Sequence, residues 1–257
     1  MQSGRTSDPA QKEAAYFDAY YRRTTHDLAI NQRMFRMYSA PRYLWNIRER
    51  ANLFLGDVRG RRLLEYGCGI GEEAVYFAKL GAQVVAIDIS RAAVELTKKR
   101  ALYNGVGDQV QVMLMDCTRT AFRDNSFELI HGLGILHHVG LERGLGEVKR
   151  LLRPGGRAVF LEHMGNSDFV EEKLKRWLGI RQKYYSEVEA PLKWESCLAY
   201  SREFKRFEMR PYYLLGRLRR VMPFMGKPFV RKFDYFILNL FPRLRHFASG
   251  LLICIEA

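Results

Sequence analysis

Apolar residues along this chain follow two different periods, and the periods alternate. Near the amino end they recur at three- and four-residue intervals, the spacing of helices with one buried stripe. Asp8-Pro9-Ala10-Gln11 supplies an N-cap, a proline at the first helical position and a glutamine at the capping-box position. A helix is predicted from there to about Arg23, with Tyr16, Phe17, Tyr20 and Tyr21 at helical spacing. Residues 26–39 read as a second helix. Pro41 to Leu55 reads as a third, with Leu44, Ile47, Ala51 and Phe54 on one stripe and Gly56 closing it.

From Arg61 short unbroken apolar runs take over, separated by helical stretches. The runs are Leu63 to Tyr66, Gln83 to Asp88, Val110 to Cys117, Phe127 to Gly132, and Leu151 to Glu162, the last entered through a proline-glycine turn. Between them lie a helix from Glu72 to Leu80 stopped by Gly81 and a Ser90-capped helix to about Asn104. Gly105, Gly107 and Asp124-Asn125-Ser126 mark the later turns. Unbroken apolar runs suit strands buried on both faces, and strand-helix alternation predicts a parallel sheet. Beyond Met164 charged helical runs with Trp177, Tyr184, Tyr185 and Trp194 are expected to form an insertion over the carboxyl ends of the strands. Phe207 to Leu215 and Gly250 to Glu256 read as two further strands.

The segment from Gly216 to Phe247 differs in character. It interleaves eight lysines and arginines with aromatic residues and contains a single acid, Asp234. From Phe229 the residues Phe233, Phe236, Ile237, Leu240 and Phe241 share one helical face. That face either packs on the core and roofs a pocket or lies on an anionic membrane surface.

Charge changes the picture; composition does not. The apolar share of 47% is ordinary for a globular chain. A net charge of +14 and a pI near 9.8 point to anionic company, whether nucleic acid, an anionic membrane surface or an acidic substrate. Cys68, Cys117, Cys197 and Cys254 are far apart with no histidine at zinc-ligand spacing, so no metal site is expected. No signal-peptide h-region and no run approaching the roughly 20 apolar residues of a membrane span is present. The expectation is a reduced, cytoplasmic protein, with peripheral contact at the inner membrane face as a further possibility.

The candidate chemistry begins at Leu63-Leu64-Glu65-Tyr66-Gly67-Cys68-Gly69-Ile70-Gly71, where a strand turns into a helix. Glycines there let a ligand approach the main chain. A dinucleotide fingerprint would need glycine or alanine at position 72, where Glu72 stands. The E-x-G-x-G-x-G spacing instead resembles the first motif of class I S-adenosylmethionine-dependent methyltransferases. Later runs match that family in order: Asp88 ends the second strand, Asp116 follows the third, and the fourth and fifth strands match around the proline-glycine turn.

The resemblance implies an α/β fold with a Rossmann-like, doubly wound, seven-stranded sheet whose last strand is antiparallel. It implies a helical lid over residues 1–56, a cofactor-binding core over 57–164, and cap insertions plus final strands over 165–257. It assigns Gly67, Cys68, Gly69 and Gly71 to the turn beside the methionine portion of the cofactor, with Glu65 orienting that loop and the amino group. Asp88, with Ile89 beside it, is assigned to the ribose, and Asp116 with Cys117 to the adenine. His131 and Gly132 are placed where cofactor and acceptor meet. His137 and His138 sit in a stretch resembling the L-H-H-V of quinone-biosynthesis methyltransferases. With Glu162 and His163 they are the candidate bases; for His137 and His138 a packing role stands beside catalysis.

The implied function is transfer of a methyl group to a small or amphipathic metabolite, most naturally at oxygen. Two alternatives stay open: an RNA methyltransferase, favoured by charge but lacking an N-P-P-Y-type motif, and a non-catalytic cofactor-binding regulator at a membrane.

Overall fold

The unbroken apolar runs become the middle of a seven-stranded sheet. The computed structural model of the chain describes residues 8–23, 27–30, 35, 44–164, 176, 192–216 and 228–257. Its strands are β1 (Arg62–Tyr66), β2 (Gln83–Asp88), β3 (Val110–Leu114), β4 (Phe127–Leu133), β5 (Leu152–His163), β6 (Arg206–Tyr212) and β7 (Gly250–Glu256). They lie in the order β3-β2-β1-β4-β5-β7-β6. The first five run parallel, and β7 is antiparallel to both of its neighbours. This is the doubly wound, Rossmann-like sheet expected from the sequence.

Consecutive strand residues face opposite sides, so each apolar run feeds two cores. Leu63, Val84, Ala86, Leu129 and Val159 point to one side. That side is covered by α2 (Ile47–Leu55), α3 (Glu72–Lys79) and α4 (Arg91–Tyr103). Leu64, Val85, Ile87, Ile130 and Phe160 point to the other, under α5 (Leu136–Val139), α6 (Leu141–Leu151) and α7 (Trp194–Leu198). Helix α1 (Pro9–Arg23) contributes no buried residue to either core.

Several boundaries differ from the sequence expectation. The helix expected from Pro41 begins at Ile47, because Asn46 takes the N-cap and its side chain accepts from the Arg48 amide. β3 stops at Leu114, and the Met115 amide makes the last bond of the ladder, to the Asp88 carbonyl. The proline-glycine turn lies inside β5, where pairing jumps from Phe127 opposite Leu152 to Leu129 opposite Arg157. β6 ends at Tyr212, since Tyr213 takes a left-handed φ of 63°. The helix expected over 26–39 falls mostly outside the described residues, and Trp177, Tyr184 and Tyr185 lie wholly outside them.

The structure also decides between the two orientations left open for α8 (Pro228–Leu240). Its inward side consists of Val230, Asp234 and Leu238. Phe229, Phe233, Phe236 and Leu240 are instead exposed, and Phe241 with them. A buried polar anchor decides the helix's rotation: the Asp234 carboxylate accepts from the Leu215 and Gly216 amides at 2.8 and 2.9 Å.

All parallel strands deliver their carboxyl ends to one rim. β6 runs parallel to β5, and Tyr212 pairs with Gly250, which pairs with His163. The connection holding α8 therefore leaves and re-enters the sheet at that same rim.

Candidate functional site

Where β1 ends, the chain must turn sharply to start α3, and the turn opens a cavity of about 480 Å³. Gly67 and Gly69 hold φ of 79° and 49°. A Cβ on Gly67 would stand 2.7 Å from the Ile135 side chain, and one on Gly69 would stand 3.0 Å from the Tyr21 hydroxyl. Bare backbone thus faces the cavity. Helix α4 holds the loop from behind, with Thr97 donating to the Gly69 carbonyl at 3.2 Å and Arg100 to the Ile70 carbonyl at 2.7 Å.

Three strand ends each bring an acid to the wall. Asp88 at the end of β2 is buried, and its two oxygens accept from the Gly69 and Ser90 amides at 2.9 and 2.8 Å. Burial still raises its pKa, against the pull of those amides. Each oxygen retains a lone pair for a ligand. Asp116, two residues past β3, accepts from the Thr118 amide and hydroxyl through Oδ1. Glu65 in β1 is buried, and burial pushes its pKa up to about 7, opposed by the neighbouring His131. Cys68 and Cys117 line the same wall, and burial raises both so far that they remain neutral thiols.

The opposite wall comes from α1 and from the turn after β4. Asp18 of α1 reaches the amino end of α4, where it accepts from the Ser90 hydroxyl at 2.5 Å and the Ala92 amide at 3.0 Å. That anchors Glu13, Phe17, Tyr20 and Tyr21 along the cavity. Glu13 lies 2.9 Å from His138 Nδ1, and the Phe17 ring meets the His138 ring edge-on at 5.3 Å. Leu133, Ile135 and Val139 add apolar surface on this side, where Arg143 also lines the cavity.

Of the residues the sequence nominated, Glu65, Gly67, Cys68, Gly69, Asp88, Ile89, Asp116, Cys117 and His138 meet at this cavity. Others do not. Gly71 lies behind the loop, where a Cβ would collide with Thr97. Gly132 is packed against Phe160 and Ile135. His131 is fully buried behind Glu65, with Nδ1 at 2.9 Å from Oε2. Glu162 is occupied: it accepts from the Ile135 and Leu136 amides and pairs with His137 Nδ1 at 2.7 Å, fixing the start of α5. His137 and His163 are outside the cavity lining. Among the candidate bases, only His138 faces the space a substrate would fill.

Sequence reasoning missed Glu13, Thr97 and Arg100. Glu13 had a signal, because it shares a helical face with Phe17 and Tyr20. Thr97 and Arg100 had none, being ordinary polar residues of an amphipathic helix. Among the described residues no group of three or more histidines, cysteines or acids is placed to hold a metal ion.

The cavity therefore offers carboxylate acceptors at three strand ends and no cationic side chain on the glycine loop. It fits a ligand made of an ammonium, a vicinal diol and an aminopurine, all hydrogen-bond donors, and lacking phosphate. The chemistry of S-adenosylmethionine meets that description, and the residues present fit it.

Comparison with known proteins agrees with this geometry. Residues 64–160 match the family model described as a methyltransferase domain. A sterol 4-C-methyltransferase of Caenorhabditis elegans is 25% identical over 144 residues, covering 51% of this chain and 43% of that protein. A demethylmenaquinone methyltransferase of Clavibacter sepedonicus is 35% identical over 109 residues, covering 42% and 43%. The chain thus spans less than half the length of these curated relatives. Geranyl diphosphate C-methyltransferase from Streptomyces coelicolor superposes with a TM-score of 0.62 at 14% identity, over 98% of this chain and 99% of that one. At that identity the likeness is one of fold.

Proposed function

We propose that this chain, whose residues 64–160 form a methyltransferase domain of the class I, S-adenosylmethionine-dependent type, transfers a methyl group to an oxygen of a small or amphipathic metabolite. The observation that carries the reading is the convergence of Glu65, Asp88 and Asp116 on a single cavity whose far wall holds His138.

When bound, the cofactor supplies a methyl group on a sulfonium, already joined to a good leaving group. The chain's task is then to bind, align and exclude water. In this reading Glu65 accepts from the ammonium, Asp88 from the ribose hydroxyls, and Asp116 from the exocyclic amine. Helix α1 acts as a lid, with Phe17, Tyr20 and Tyr21 keeping water from the reacting end. Alignment contributes on the order of 7–11 kcal/mol in well-oriented systems, against 10²- to 10⁴-fold in rate for a general base. Positioning is therefore the larger part. His138 supplies the smaller: lining the cavity with its Nδ1 2.9 Å from the Glu13 carboxylate, it is the imidazole placed to take the acceptor's proton.

The apolar surface of Leu133, Ile135 and Val139 beside His138 and Arg143 supports an amphipathic acceptor. The named relatives act on sterol and demethylmenaquinone. Because two of the matched proteins methylate carbon, oxygen is the part of the reading that product analysis must decide. The basic charge further supports peripheral contact with an anionic membrane, where amphipathic acceptors reside. Among the described residues no helix is long and apolar enough to cross one.

Calorimetric titration with S-adenosylhomocysteine, beside one with NAD, tests the cofactor assignment. Micromolar binding of the first and none of the second is expected. A folded chain that ignores S-adenosylhomocysteine overturns it.

A further inference from the structure

We infer that the outward face of α8 is the surface by which this protein docks on an anionic lipid bilayer, with the catalytic rim turned toward the membrane. The inference rests on the peripheral-membrane part of the proposed function and is independent of methyl transfer.

Helix α8 carries two apolar stripes where a surface helix needs one. The inner stripe, Val230 and Leu238 about the buried Asp234, already attaches the helix to the molecule. The outer stripe, Phe229, Phe233, Phe236 and Leu240, repeats at i, i+4, i+7 and i+11. Its members are 64, 52, 56 and 69% exposed. Phe241 extends it at 52%. Three large aromatics in register on the solvent side contribute nothing to the fold and cost hydration, so the stripe calls for an occupant.

Charge identifies the occupant. From Gly216 to Phe247 the only carboxylate is that of Asp234, which is 2% exposed and held by two backbone amides. Among the described residues of α8 and the turn after it the one carboxylate thus faces inward, while Lys232 and Arg243 are exposed; an acid of another element, Glu195 of α7, lies 3.3 Å from His246 of that turn. An apolar band whose own exposed charged residues are cations complements lipid tails under anionic headgroups.

Position gives the contact a purpose. The connection containing α8 springs from Tyr212 and returns at Gly250, which pairs with His163 at the end of β5. The parallel strands that present Glu65 and Asp88 to the cavity end on that same rim. A bilayer against α8 thus lies along the edge of the sheet from which an amphipathic acceptor would enter.

The test is co-sedimentation of the full chain with vesicles of phosphatidylcholine alone and of equal parts phosphatidylcholine and phosphatidylglycerol. Wild type is expected to bind the anionic vesicles only, less so as salt rises. Phe229→Ser/Phe233→Ser/Phe236→Ser is expected to lose at least about tenfold in affinity, with S-adenosylhomocysteine affinity and circular dichroism unchanged. The single change Phe236→Ser should lose part of the binding, and Arg243→Gln about fivefold. Wild type that binds neither vesicle overturns both the membrane reading and this inference. Variants that bind as well as wild type overturn the α8 assignment alone and leave the membrane reading standing. A wild-type dimer that the triple variant dissociates, without vesicle binding, assigns the face to a second copy instead.

Discussion

Glu65 illustrates how a residue nominated by motif acquires its properties from a partner that no motif names. It sits opposite His131 in the parallel pairing of β1 and β4, and the two side chains meet where Glu65 borders the cavity and His131 is fully buried behind it. His131 Nε2 has no hydrogen-bond partner there, so the ring's polar contact is with Glu65. Burial pushes the Glu65 carboxyl up to about 7 and His131 draws it down. The sign follows directly: between the ordinary carboxyl value and about 7 the folded state holds a proton that the unfolded state has lost. Stability from this group therefore falls as pH rises through that window. The carboxylate that forms is the species able to accept from an ammonium. Affinity for S-adenosylhomocysteine is expected to rise several-fold between about pH 6 and about pH 8, read by calorimetry. In His131→Val the rise should move to higher pH, because the group favouring ionisation is gone. A variant with the wild-type profile would remove His131 from any role in positioning Glu65.

At the scale of elements, the glycine turn works because α4 stands behind it. Gly71 has φ of 76°, and a Cβ there would lie 2.6 Å from Thr97 Oγ1 and 2.9 Å from Thr97 Cα. The main chain of α4 cannot yield as a side-chain tip can. Gly71→Ala is expected to cost about 1–3 kcal/mol, seen as a lower urea midpoint, and to weaken cofactor binding without any lost ligand contact. Unchanged stability would mean that loop and helix part more easily than their packing indicates. The third glycine of the motif was assigned to the cofactor by resemblance. Its spacing was legible in the sequence; its role depends on a helix about 26 residues downstream that closes over it, which local pattern does not encode.

Across the whole molecule, the attachment of α1 contrasts with that of the sheet helices. Having no buried residue, α1 is held by the polar contacts of Glu13 and Asp18 along its length and by its aromatic side against the cavity. Losing one capping carboxylate typically costs about 1 kcal/mol. Asp18→Ala should therefore weaken S-adenosylhomocysteine binding about fivefold while leaving the thermal midpoint nearly in place, since global unfolding is governed by the two cores. A large fall in the midpoint would make α1 part of the fold rather than a lid. Helix α8 is the converse case: its strongest sequence signal, the aromatic stripe, points away from the protein.

The sequence by itself determined the sheet, the turn at its centre and the acids at the carboxyl ends of β1, β2 and β3. Those features are written locally, in unbroken apolar runs, in glycines at a strand end and in carboxylates at or just past the ends of the runs. Only the tertiary structure decided which candidates share a space. It placed His138 on the cavity, committed Glu162 to two amides and a histidine, and put His131 behind Glu65 instead of beside a substrate. It also turned α8 through Asp234, because a buried carboxylate must satisfy its oxygens before an exposed phenyl ring can choose a face. Such choices are set by contacts between residues as near as 18 positions apart, Gly216 and Asp234, and as far as 125, Glu13 and His138; a periodicity of two or 3.6 carries no record of them.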